Sequence, residues 1–240
     1  MTNRTAETSP LVYARVAGFL YILIIIIGVL NGIFIDSNLI VSGNDTATAS
    51  NILANDLLFR TGIASILILY ASVVVLSWAL YVILKTVNKN LALLAMLLRS
   101  AEAILGAATV LISFIVLGLL NGQGYSTVFE TEQLQALVGV FLNVRTAGLD
   151  IVLIFVGLGG TVFCYLFLKS KYVPRILASW GIFTYLSMLI LSLVSILFPN
   201  HPAIIEIVLY ALGGSFELVF GFWLLLKGIN VQQGDNHALA

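Results

Sequence analysis

Charge is the scarcest property of this sequence: 9% of its 240 residues are Asp, Glu, Lys or Arg, while 60% are hydrophobic. A water-soluble domain carries about 25% charged residues, because charge keeps its surface solvated. A chain this poor in charge needs lipid over most of its surface, which excludes an ordinary soluble globule. The 11 basic and 11 acidic residues cancel, so there is no net field to gather nucleic acid. Cysteine is nearly absent. The single Cys164 has no intramolecular disulfide partner, and in its apolar run it reads as a small packing residue. The two histidines, His201 and His237, fall in a loop and in the C-terminal tail. No H-E-x-x-H string or other metal-ligand spacing occurs, and no glycine-rich phosphate loop. Neither a metal nor another cofactor is expected. Gly214-Ser215 lacks an intramembrane base, so no catalytic residue is assigned.

What the sequence does have is long apolar runs. A spanning helix takes about 20 residues at 1.5 Å each, and six stretches qualify: 16–35, 61–84, 91–120, 149–168, 176–198 and 203–226. The expected fold is all-α, a polytopic membrane bundle of six transmembrane helices in one domain over 1–240, with 227–240 as a cytoplasmic tail. The first run follows Arg4 and Arg15 but is too long for a signal-peptide core, and reads as an uncleaved anchor. Lys and Arg concentrate in cytoplasmic loops. Arg4, Arg15, Lys85, Lys89, Lys169, Lys171, Arg175 and Lys227 all fall on one side of a six-span arrangement. Asp36, Asp45, Asp56, Glu130 and Glu132 fall on the other, with only Arg60 and Arg145 near helix starts there. Both termini are therefore expected in the cytoplasm, with the chain multi-pass in the inner (plasma) membrane.

Two segments on the acidic side, 42–59 and 130–144, carry apolar residues at helical spacing. Each reads either as a short amphipathic outer helix or as an extension of the next span, the first starting near Ser50 or Asn51. An internal repeat is also visible. Arg60-Thr61-Gly62 and Arg145-Thr146-Ala147-Gly148 each open an apolar run that closes in Tyr-x-x-Leu-Lys, at Tyr81–Lys85 and Tyr165–Lys169. Such a pattern is either a parallel repeat of a helical hairpin or the recurrence of interfacial residues at equal depths.

Four strings carry a likeness to a known family: ARVAGFLYILIIIIGV from Ala14, NKNLALLAMLLRSAEAIL from Asn88, LKSKYVPRILASWGIFTYL from Leu168 and GGSFELVFGFWLLLKGIN from Gly213. In this order the chain resembles a bacterial multi-pass membrane family catalogued as domain of unknown function 4386. The resemblance implies a bacterial six-helix membrane protein and supplies no activity.

Function must then come from ionisable residues, which are costly inside hydrocarbon. Glu217 precedes Lys227 by ten residues, about 15 Å of helix, and Arg99 lies at nearly the same depth on another span. Glu102 shares the helix face of Arg99. An intramembrane cluster of Arg99, Glu102 and Glu217 is expected, with Arg99 touching at least one of the two acids. Arg60, Arg145, Asp150 and Glu206 form a second set near the outer rim. Gly28-x-x-x-Gly32, Gly118-x-x-x-Gly122, the Gly157/Gly159/Gly160 run and Gly213-Gly214 mark places for close helix approach. The leading reading is a non-enzymatic bundle that binds lipid, a partner protein or a second copy of itself. The alternatives are a small transporter or channel using the Arg/Glu cluster, and a membrane-embedded enzyme.

Overall fold

The computed structural model describes residues 9–122, 129–198 and 202–230. The described residues form seven helices: α1 Pro10–Leu39, α2 Asp45–Ala54, α3 Asp56–Leu84, α4 Lys89–Asn121, α5 Thr131–Ser170, α6 Arg175–Leu197 and α7 Ala203–Leu226. No strand occurs among the described residues. The protein is a polytopic helical bundle. α1, α3, α4, α5 and α6 are each long and apolar enough to cross a membrane, and α7 has an apolar stretch at Tyr210–Leu226. Large side chains such as Ile104, Ile176 and Leu226 stand 67%, 86% and 72% exposed. Such surface is tolerable in lipid and unfavourable in water.

Punctuation in the sequence decides which elements break. Between α1 and α3 the chain carries Ser42-Gly43-Asn44. Gly43 adopts φ +73°, open to a residue without Cβ. The Asn44 side chain then caps α2 by accepting from Ala47 N at 2.9 Å. Asn55 interrupts the helix again before α3. α2 is thus a separate helix, starting at Asp45 and not near Ser50. Residues 130–144 contain no such stop. From Thr131 on they are the first part of α5, a continuous helix of 40 residues and about 60 Å, so here the extension reading holds. At the other loops, Asn88 accepts from Leu91 N at 2.9 Å, and Pro174 precedes α6. Gly228, at φ +70°, follows the end of α7.

Packing divides the chain into two compact units. The first comprises Met1–Ile25, Ser72–Glu102 and Leu153–Ala240. Its interior holds an aromatic cluster: Phe216 and Phe220 stack at 5.4 Å, and Tyr21, Phe167 and Tyr185 meet them edge-on at 5.2–5.6 Å. Gly18 lets α1 approach α7 so closely that a Cβ there would strike backbone at Leu225 and Gly221. The second comprises Ile26–Ala71 and Ala103–Val152. Its core is mostly aliphatic, with Ile35, Leu39, Val116, Leu117, Val138 and Leu142 around Phe59, and with Ala49 and Ile52 of α2 packed into it.

Gly28, Gly32 and Gly118 of the two G-x-x-x-G strings are not tight crossings. A Cβ on Gly32 or Gly118 would meet nothing within 4 Å, and one on Gly28 only Leu69 Cδ1 at 3.9 Å. Close approach occurs instead at Gly157, against Leu189 and the Tyr185 carbonyl, at Gly159 against Arg99, and at Gly160 against the Tyr185 ring. Gly213 faces the flexible end of Met188, whereas Gly214 is open.

Candidate functional site

Two polar groups stand out against these apolar interiors. In the first unit, Arg99 and Glu102 lie one turn apart on α4, with Arg99 Nη1 2.9 Å from Glu102 Oε2. Both side chains are almost enclosed, at 4% and 6% exposure. Gly159 makes the enclosure feasible, since a Cβ there would come within 2.8 Å of Arg99 Cγ. The two charged atoms are near each other but off the line of a hydrogen bond, and neither has a hydrogen-bond partner among the described residues. Their attraction is therefore chiefly Coulombic, which in a dry interior is strong.

Glu217 stands outside this ion pair. It forms no ion pair among the described residues; the Tyr185 hydroxyl donates to its Oε1 at 2.7 Å. The charges of Arg99, Glu102 and Glu217 still interact with one another. Tyr185, Phe216 and Phe220 are 0–1% exposed and wall this region. Tyr185 was not legible as a participant, because an aromatic in an apolar run reads as packing. Chemically the group suits a brace: the buried arginine has its counter-ion, and the aromatic wall excludes water.

Of the rim set, Arg60 and Arg145 each pair with an acid outside it. Arg60 pairs with Asp56 one turn away on α3, at 2.6 Å and with side chains 50% and 38% exposed. Arg145 pairs with Asp36 at 3.1 Å, side chains 22% and 46% exposed. Asp150 is half-buried on α5. The side chain of Glu206 lies outside the described residues, as do His201 and His237.

The Arg145–Asp36 pair belongs to a cavity of about 100 Å³ within the second unit. That volume holds several waters or a short stretch of hydrocarbon. Ile35, Ile63, Ile66, Val110 and Leu149 supply apolar wall, and Asn31, Asp36, Ser113 and Arg145 a polar pole. A π turn, Gly32–Asp36, builds this pole. The turn closes on the fifth residue, with Ser37 N bonding Gly32 O. Asn31 and Asp36, five apart, therefore come round to the same side. Side chains satisfy the carbonyls disturbed nearby: Ser37 Oγ donates to Ile33 O and Asn38 Nδ2 to Phe34 O. Asn31 Nδ2 donates to Ser65 Oγ at 2.6 Å. Arg145 Nη1 also reaches Ser113 Oγ at 3.5 Å. The i,i+5 spacing of Asn31 and Asp36 was the available signal, and it is uninformative under ordinary α periodicity.

No group of three or more His, Cys, Asp or Glu side chains among the described residues is arranged to hold a metal. Comparison with protein families matches residues 16–228 to the one described as "Domain of unknown function (DUF4386)". No curated protein and no solved structure is matched by the chain.

Proposed function

The chain belongs to the DUF4386 family, and we propose that it is an integral protein of the bacterial plasma membrane that binds an amphiphilic ligand. One observation carries this reading: the cavity in the second unit joins an apolar wall to a small polar pole of Asn31, Asp36, Ser113 and Arg145. Ligand sites are concave and mostly apolar, with a few placed polar groups that orient the guest. An acyl chain suits the wall and a polar head suits the pole. The transporter reading has less support, because Arg99 and Glu102 are only 3% and 4% exposed. Enclosure of that kind favours a structural brace.

In the proposed topology all six apolar runs span the bilayer, with both termini cytoplasmic. The support is the distribution of Lys and Arg, which the positive-inside tendency turns into an orientation. α7, at 24 residues, is about 36 Å long and sufficient to cross. Cysteines introduced at Ser42 and Asn90, both exposed, test it in a Cys164→Ser background. Impermeant reagent should reach Ser42→Cys in intact cells and Asn90→Cys only after lysis. Labelling of both in intact cells would end the proposed orientation.

The binding reading is tested with purified protein and short-chain amphiphiles, read by native mass spectrometry and thermal shift. Binding should saturate at one ligand and disappear in Ile66→Trp, which fills the cavity from its wall. Saturable binding that is unchanged in a folded Ile66→Trp protein would remove the cavity as the site.

A further inference from the structure

We propose that the ligand carries a zwitterionic headgroup, its anionic part taken by Arg145 and its cationic part by Asp36; this rests on the amphiphile-binding reading. The pole holds one cation and one carboxylate, joined through a single contact, Arg145 Nη2 to Asp36 Oδ1 at 3.1 Å. The contact is end-on and half-open, with the two side chains 22% and 46% exposed. A guanidinium has five N–H donors in a planar fork. Among the described residues, its contacts occupy one donor fully and a second only loosely, at 3.5 Å to Ser113 Oγ. The remaining donors match the paired oxygens of a phosphate or carboxylate. On the other side, Asp36 retains Oδ2, an acceptor for an ammonium group.

Charge balance selects among head chemistries. A purely anionic head gains Arg145 but is repelled by Asp36, which lies a hydrogen bond away. A purely cationic head meets the reverse. A neutral head leaves the ion pair in place and adds only weak hydrogen bonds. A zwitterion replaces one ion pair by two and leaves the site neutral. It also uses what the π turn provides, because Asn31 and Asp36 stand on one side of α1, with the Asn31 amide held by donating to Ser65 Oγ. Ser113 contributes a hydroxyl beside the anionic half. A phosphoethanolamine head on an acyl chain has this charge pattern, and its tail suits the Ile63, Ile66 and Val110 wall.

The test uses the full chain in detergent with three probes: a short-chain phosphatidylethanolamine, a phosphatidylglycerol with the same tails, and water-soluble glycerophosphoethanolamine. The ethanolamine lipid should bind at least tenfold more tightly than the glycerol lipid. The soluble head should bind more weakly than the lipid; if it binds as tightly as the lipid, the ligand is a free zwitterion. Asp36→Asn should reverse the preference toward phosphatidylglycerol. Arg145→Gln should reverse it toward a cationic amphiphile such as an alkylammonium. The exchanged variant Asp36→Arg/Arg145→Asp restores the pair and guards against misfolding, and should regain the ethanolamine preference. Equal binding of both lipids by the parent, or an unchanged ratio in folded Asp36→Asn, would overturn the headgroup assignment. If Ile66→Trp still abolishes that binding, the cavity reading survives; if it does not, both fall.

Discussion

Arg99–Glu102 and Arg145–Asp36 are the same chemical pair in two settings. One joins neighbours on a single helix at 2.9 Å, and the other joins residues 109 apart in sequence at 3.1 Å. Distance does not separate them; enclosure does. The first pair is 4% and 6% exposed behind aromatic rings, the second 22% and 46% exposed on a cavity wall. A sealed pair cannot exchange its partner without leaving a bare charge in a low dielectric, so it fixes the packing around it. A half-open pair can trade its partner for a ligand at modest cost. The lesson is that an intramembrane arginine signals a required partner, and burial decides whether that partner is permanent.

The comparison is broken most directly at its sealed side. Arg99→Ala leaves Glu102 buried without a counter-ion and should cost about 3–5 kcal/mol, whereas Arg99→Met/Glu102→Leu should lose far less. Melting in detergent decides, and single and double variants that melt alike would show that the pair is not a unit. Next in size is Gly18→Ala, whose methyl meets backbone of α7 that cannot rotate away. About 1–3 kcal/mol is expected, against no loss for Gly118→Ala, which points into open space. A Gly18→Ala protein that melts with the parent would mean that α1 and α7 cross less tightly.

At the open pair the effect on folding should be small. Arg145→Ala is expected to cost about 1 kcal/mol or less, as for solvent-accessible ion pairs, while ligand retention on purification is lost. A large drop in melting with ligand still bound would make Arg145 a brace like Arg99. Smallest of all is Arg60→Ala, since its exposed one-turn pair with Asp56 should leave both melting and binding unchanged. A loss of binding in that variant would extend the site beyond the cavity.

Arg60 and Arg145 also show where legibility ends. They occupy matching positions in the strings RTG and RTAG, yet Arg60 pairs along its own helix and Arg145 pairs with Asp36 of α1. Local spacing put Glu102 on the helix face of Arg99, because residues three apart on a helix share a face, and left its choice between Glu102 and Glu217 open. It could not foretell Asp36, whose direction depends on a π turn with no distinct composition. Tyr185 was similarly hidden, since which aromatic faces which carboxylate depends on how α6 and α7 pack.

By itself the sequence determined the class and the long elements. Apolar runs of spanning length with little charge leave the backbone no partner in lipid but its own helix. It also held the punctuation that separates α2, through Gly43, Asn44 and Asn55, and that lets α5 run uninterrupted. Tertiary structure alone decided which glycines are crossings, which charges are sealed and where a cavity remains. Those properties arise from distances between helices far apart in sequence, and a one-dimensional pattern sets the face of a residue but not what comes to meet it.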